Sequence, residues 1–398
     1  MVAMSITLES SLEGLENGDL LRGNLVPVNS AQKFFTYVGY YANAFARGSV
    51  RSIERLTRPI REDHSYWGEA AEKVKAVVSS VFSVPLAAFL LVPAFVCYVL
   101  ASCIGGGRFE FLKPESRANF WQERSVKVVS LNACFQDPWS PFTGGVVPPL
   151  EPVSDHATRV AAVVNAIAQE NPVVYMGQEF DSLAAQDESI RLMQEKGFRY
   201  FLRDLGSNDP VRNHSGLFVA SKVPLENVEF VPYPLEDRAG LAKWSGQGAL
   251  TFTIRVQEQE LRLINVHLNY GQSKEDQEAR NRQLKRHVVP LLERGDAVLF
   301  VDFNFNTALV DPAVSGLSGF TNALEGRVTC TDAGKHALRG KSLNPGGKPC
   351  TDCEERIDGL VYNPNRIEVL GCEVKPLVIG EKMGTDHYLT SATVQIRD

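Results

Sequence analysis

The chain has 398 residues, enough for one large or two ordinary domains, and its 44% hydrophobic and 22% charged content excludes a disordered polymer. A formal net charge of -6 excludes a general electrostatic nucleic-acid binder, which needs a concentrated basic surface, so no nucleic-acid partner is expected. Seven cysteines, an odd number in a chain this long, do not form a secreted disulfide framework and point to a reducing compartment.

Residues 1–75 read as an amphipathic, partly basic region. Between positions 33 and 61, Lys33, Arg47, Arg51, Arg55, Arg58 and Arg61 stand against the single acid Glu54, interleaved with Phe34, Phe35, Tyr37, Tyr40, Tyr41 and Phe45. The spacing 47, 51, 55, 58 follows a helical face. Such a face suits an interfacial helix drawn to anionic lipid headgroups, the alternative being a solvated charged face. Residues 76–107 then carry no charge at all. About 20 apolar residues cross a bilayer, so this stretch is long enough to be a membrane segment rather than a buried core helix. Pro85 and Pro93 each remove a helical hydrogen bond and favour a kink or a re-entrant hairpin over a straight span. The run begins too far from the N-terminus for a cleaved signal peptide. The positive-inside rule places the arginine-rich side in the cytoplasm; a hairpin return would leave the following domain there as well, and a single crossing would put it on the opposite side. Residues 108–125 read as a juxtamembrane linker, with Gly105, Gly106 and Gly107 as a flexible exit rather than a phosphate loop.

From Val126 to the C-terminus the texture changes to one domain of short strands and a few helices. The predicted strands are 126–132, 173–177, 216–221, 249–256, 261–268, 297–301, 357–362 and 391–396. Helical spacing of apolar residues predicts helices over 155–169 and 274–292. Strands with helices inserted between them suggest α/β architecture, a two-layer β-sandwich flanked by helices.

Polar clusters follow the apolar runs. Asn132 closes the first strand and offers either an oxygen to a hard cation or a nitrogen to a phosphate; alone it is a common turn residue. Glu179 follows 173–177 and places a carboxylate at a strand end, where Mg²⁺ takes one or two carboxylates plus water and phosphate oxygens. His267 lies in an alternating strand, a position more often structural than catalytic when isolated. The buried run 297–301 ends in Asp302-Phe303-Asn304, and period two puts Asp302 and Asn304 on one face. Asp386-His387 supplies an acid and an imidazole before the last strand, and Asp358 is a second candidate to orient that imidazole. Each cluster is weak separately; in this order at strand ends they form a kit for phosphoester hydrolysis.

Leu131-Asn132, Gln178-Glu179, His214 to Ser221, Asn265 to Leu268, Asp302 to Phe305, Arg356-Ile357-Asp358 and Thr385-Asp386-His387 resemble the endonuclease/exonuclease/phosphatase superfamily. These are metal-dependent phosphodiesterases and phosphatases on a DNase I-like sandwich. Within it the chain looks most like the membrane-attached neutral sphingomyelinases, through Ser215 to Lys222 followed by Val223-Pro224-Leu225, the approach Gly248-Ala249-Leu250, and Asp302 to Phe305. The resemblance implies that Glu179, with Asn132 nearby, holds Mg²⁺, for which Mn²⁺ can substitute. It implies that His387, oriented by Asp358 or Asp386, or Asp302 close enough to share the task, deprotonates water, and that Asn304 and His267 donate to phosphoryl oxygens. The implied reaction is hydrolysis of sphingomyelin in a membrane to ceramide and phosphocholine.

Three positions depart from that pattern. Val301 stands where glycine usually precedes the Asp of Asp-x-Asn, predicting a less close backbone approach, and Val266 replaces the usual threonine. The lysine of the animal enzymes' activation switch has no counterpart, Arg212 being the nearest basic residue. Cys350-Thr-Asp-Cys353, with Cys330 upstream, is a single C-x-x-C without a second pair and does not specify structural zinc. Among rivals, a nuclease should carry a basic face, and an inositol polyphosphate phosphatase should carry a tryptophan-flanked Asp-Arg motif not found here. A non-catalytic membrane scaffold is disfavoured because no catalytic position is lost.

Overall fold

A computed structural model describes residues 25–27, 96, 107–114, 121–135, 156–206, 214–271, 273–305, 315–325, 327–331, 354–379 and 382–397. The expected basic helix over 33–61 and the C-x-x-C at 350–353 lie outside these residues. So does the uncharged stretch 76–107, apart from Val96 and Gly107. Among the described residues no helix is long and apolar enough to cross a membrane.

The architecture is an α/β sandwich of two sheets. One is ten-stranded, in the order β1 (Leu25–Pro27), β2 (Gly107–Leu112), β5 (Tyr200–Gly206), β6 (Phe218–Ser221), β4 (Val174–Gln178), β3 (Ser125–Asn132), β16 (Lys382–Ile396), β12 (Cys330–Thr331) and β13 (Glu354–Glu355), with β15 (Ile367–Ile379) paired to β16. The other is six-stranded, in the order β11 (Thr321–Asn322), β14 (Asp358–Tyr362), β10 (Ala297–Asp302), β9 (Gln259–His267), β8 (Gly248–Val256) and β7 (Glu226–Pro232). Helices α1 (His156–Gln169) and α2 (Leu183–Glu195) share an apolar cluster with the outer face of the first sheet, and α3 (Lys274–Gln283) leads to α4 (Val289–Leu292), which packs outside the second.

Strand periodicity explains these layers. Along β3, Val126 and Val128 belong to the core between the sheets, while Val129 and Leu131 join Val160, Val163 and Ile167 of α1. Along β10, Val298 and Phe300 face the inter-sheet core, while Leu299 and Val301 join Ile264, Val266 and Leu291 on the other side. Both departures from the family pattern therefore point away from Asp302 and His267. Val301 lies opposite Gly359 of β14, and a Cβ built on Gly359 would stand 2.3 Å from Phe303 Cε2 and 3.2 Å from Val301 Cγ1. Glycine at 359 thus leaves room first for the Phe303 ring and also for the Val301 side chain. Gly359→Ala should cost about 1–3 kcal/mol through overpacking beside Asp358, whereas Gly371→Ala, with nothing within 4 Å of a built Cβ, should cost less. Urea denaturation of the two variants checks the difference.

Among the regions read from sequence, 108–125 and 274–292 take a different form. The 108–125 segment contributes β2, whose Glu110 pairs with Arg203 of β5 at 2.6 Å, and Trp121, whose backbone bonds Arg255 and Gln257 beside β8. It therefore belongs in part to the sandwich. The single helix predicted over 274–292 is α3, then a wider π-helical turn over Leu284–Val288, then α4. Pro290 has no N–H to give the preceding turn, and its ring crowds the carbonyl four residues back.

Candidate active site

The inward-facing stripe of several strands is apolar in the middle of the sandwich and polar at one end. In β3 it passes from Val126 and Val128 to Ser130 and Asn132; in β4 from Val174 and Met176 to Gln178; in β9 from Leu261 and Leu263 to Asn265 and His267; in β10 from Val298 and Phe300 to Asp302. β14 runs antiparallel to β10 and brings Asp358 opposite Asp302. The strand ends thereby gather one polar group after another at the same rim.

Asn265 holds the two sheets together there. It accepts from Gln178 Nε2 at 2.7 Å and donates to the carbonyls of Gly177 and Phe218 at 3.0 and 3.3 Å, so a residue of the second sheet bonds two strands of the first. Gln178 also donates to Ser130 Oγ at 3.1 Å.

Asp302, fully buried, lies at the centre. Its Oδ2 accepts from Asn132 Nδ2 at 2.9 Å and its Oδ1 accepts from the backbone N–H of Asn304 at 2.8 Å. Asn132 Nδ2 also donates to Glu179 Oε1 at 2.9 Å, while its oxygen accepts from the N–H of Cys134. Asn132 thus ties the two carboxylates together. β10 ends at Asp302, and Asn304 adopts a left-handed φ of 54°, so the Asp-Phe-Asn segment turns rather than continuing in extended alternation. Its side-chain nitrogen donates to Leu268 O at 2.9 Å. Glu179 is also left-handed, with φ of 56°, immediately after β4. Non-glycine residues held in that region concentrate local strain, which occurs preferentially at functional sites.

Two imidazoles flank Asp302. His267 Nε2 is 3.6 Å from Asp302 Oδ2 and 3.8 Å from Glu179 Oε1, is buried, and has no hydrogen-bond partner. His387 Nε2 lies 3.7 Å from Asp302 Oδ2, and its Nδ1 is held by Asp358 at 3.0 and 3.2 Å. Asp358, rather than Asp386, therefore orients His387. Burial pushes the His387 imidazole down, but Asp358 and Asp302 outweigh it and hold the pKa well above the ordinary histidine value. Burial pushes Asp302 up, and His387, His267, Asn132 and the Asn304 N–H bring it below the usual carboxylate range. Donor atoms of Glu179, His267 and Asp302, and those of Asp302, Asp358 and His387, form two groups, in each of which all atoms lie within 4.8 Å of one another.

The structure brings together Asn132, Glu179, His267, Asp302, Asn304, Asp358 and His387. Asp386 sits beside them, its Oδ1 3.4 Å from Thr385 Oγ1, and desolvation followed by the Asp386 charge pushes the thiol of half-buried Cys134 up. His387 lies within the long strand β16, not before a shorter one, because β15 pairs along most of its length. Sequence reasoning gave no role to three supporting residues. Buried Arg159 of α1 donates to the carbonyls of Ala133, Cys134 and Gly384, joining the Asn132 and His387 strand ends. Thr329 Oγ1 accepts from the N–H groups of Ile357 and Asp358 at 3.0 Å, and Thr385 Oγ1 donates to Asn132 O at 2.7 Å. The one available signal was an arginine on the apolar face of α1.

Asp358→Asn keeps the shape but removes the neighbouring negative charge. The His387 pKa then falls, and a reaction that uses the neutral imidazole as its base should show the acidic limb of its pH–kcat/KM profile moved to lower pH while the plateau drops. A limb that stays in place would show that another group governs it.

No family model matches the chain, and no curated protein sequence does. Among solved structures, the beta toxin of Staphylococcus aureus is 18% identical, with 67% of this chain and 99% of that chain covered and a TM-score of 0.50. Sphingomyelinase C of Streptomyces griseocarneus is 17% identical, with 68% and 99% covered and a TM-score of 0.48. D. rerio TDP2, complexed with a single-strand DNA product, is 15% identical, with 69% and 100% covered and a TM-score of 0.48. The likeness to the beta toxin shows a shared fold.

Proposed function

We propose that the chain is a metal-dependent phosphodiesterase of the endonuclease/exonuclease/phosphatase superfamily, acting on sphingomyelin at a membrane surface. One observation carries the hydrolytic reading: two imidazoles face buried Asp302 at 3.6 and 3.7 Å, one backed by Asp358 and the other left without a partner against two carboxylates. Such distances are too long for direct hydrogen bonds. They suit side chains that converge on a third group.

The carboxylate pair fits Mg²⁺, because Glu179 and Asp302 bring oxygens within 4.8 Å of each other and this hard cation takes one or two carboxylates with water and phosphate oxygens. When bound it would supply charge neutralisation at a non-bridging phosphate oxygen. The remaining roles belong to the chain. His387 takes the proton of the attacking water at Nε2, while Asp358 holds Nδ1–H and stabilises the imidazolium that forms. His267 Nε2–H and the Asn304 amide donate to the phosphoryl oxygens. Asn132 keeps the Glu179 and Asp302 carboxylates in register.

The lipid substrate rests on the uncharged stretch at 76–107 and the arginine-rich face before it, which would hold the domain against an anionic, cytoplasmic leaflet. Full-length protein should release phosphocholine from radiolabelled sphingomyelin in mixed micelles with Mg²⁺, and lose that activity with chelator. Cleavage of duplex DNA with no release from sphingomyelin would replace the lipid reading with a nuclease one.

A further inference from the structure

One reactive side chain beside the site has no part in the hydrolytic reading. Cys330 begins β12, which pairs antiparallel with β16, and its direct partner in that ladder is His387. Residues opposite each other on an antiparallel ladder project side chains to the same face. The Cys330 sulfur, a His387 ring nitrogen and an Asp386 carboxylate oxygen all lie within 4.8 Å of one another. Cys330 and His387 are buried and Asp386 is half-buried.

This donor set differs in kind from the one around Glu179. Thiolate with imidazole selects zinc, copper or cobalt, whereas Mg²⁺ takes oxygen. Zinc bonds of about 2.3 Å to sulfur and about 2.0 Å to nitrogen and oxygen place tetrahedral ligands roughly 3.3–3.7 Å apart. Movements of about 1 Å would close the three atoms around one ion, leaving a fourth position for water.

We propose that Cys330, Asp386 and His387 form a zinc site whose occupation switches hydrolysis off. Binding converts the Cys330 thiol to thiolate, with the proton released to solvent and the sulfur lone pair donated to Zn²⁺, with no redox change. A His387 nitrogen then holds metal and is withheld from proton transfer. The inhibitory consequence rests on His387 being the base, but the metal site does not.

The experiment uses full-length protein in detergent micelles, with Cys350→Ser and Cys353→Ser in every sample to remove the C-x-x-C. Co²⁺ added to this background should produce the near-ultraviolet thiolate-to-cobalt band, which Zn²⁺ abolishes; adding Cys330→Ser should remove the band. Zinc titrated against sphingomyelin hydrolysis in excess Mg²⁺ should inhibit the background protein, and Cys330→Ser should need at least ~10-fold more zinc for half-inhibition, each compared with its own zinc-free rate. Absence of the cobalt band, its persistence in Cys330→Ser, or equal zinc sensitivity would overturn the proposal. If no phosphodiesterase activity is found at all, the cobalt band still decides whether the metal site exists. The two readings thus fail separately.

Discussion

On the proposed reading, His387→Gln should lower kcat/KM for sphingomyelin by about 10³-fold, within the range of a lost general base. Glutamine keeps a polar side chain facing Asp358 but cannot take a proton from water. The same substitution alters stability in a pH-dependent way. His387 has a folded pKa raised above its unfolded value by Asp358 and Asp302. Its contribution is therefore fully present below the ordinary histidine pKa and lost as pH rises through the folded value. Urea midpoints of wild type and His387→Gln should differ most in mildly acidic buffer and converge toward alkaline pH. A midpoint difference independent of pH, together with retained hydrolysis, would remove His387 from the catalytic role.

Asp302→Asn should be nearly as damaging to activity, by about 10²-fold or more, because it changes the group that both imidazoles and Asn132 address. The amide has one acceptor oxygen where the carboxylate uses two, Oδ2 for Asn132 and Oδ1 for the Asn304 N–H. Whichever way it turns, an N–H faces another N–H in a fully buried place, at a cost of about 1–3 kcal/mol. Asp302 has a depressed folded pKa, so its contribution is present above the ordinary carboxylate pKa and disappears as pH falls through the folded value. The variant should accordingly lose less stability on acidification than wild type, read from denaturation midpoints between neutral and acidic buffer. An unchanged acid profile would show that Asp302 is not ionised in the folded protein.

The strands that carry the site were legible because their periodicity is clean. β3, β4, β9 and β10 alternate or run apolar, and each ends in its polar cluster. The elements that escaped detection each break the simple apolar pattern in a different way. β5 reads Tyr-Phe-Leu-Arg-Asp-Leu-Gly and looks interrupted, yet every residue is buried because Arg203 meets Glu110 and Asp187. Helix α2 buries Gln186 and Ser189 on the face where a pattern search expects carbon. β15 contains Gly371 and Pro376 near two irregularities of register, and its charged residues alternate toward solvent. The convergence of Asp358 on His387 was open in sequence because two acids were candidates, and only the pairing of β14 with β10 brings one of them to Nδ1. Sequence reads Val301 as holding the backbone back from the site because glycine is usual there, but its side chain joins the cluster on the outer side of β10, across the ladder from Gly359.

The Asn265 bridge has a mechanical corollary. Glu179 and Asn132 ride on one sheet, and His267, Asp302 and Asp358 on the other, while Asn265 fastens the two at the level of Gly177 and Phe218. The jaws of the site cannot slide past or spread from each other without breaking buried hydrogen bonds. The aperture is therefore a fixed gauge, and accommodation of substrates of different shape must come from whatever surrounds the rim.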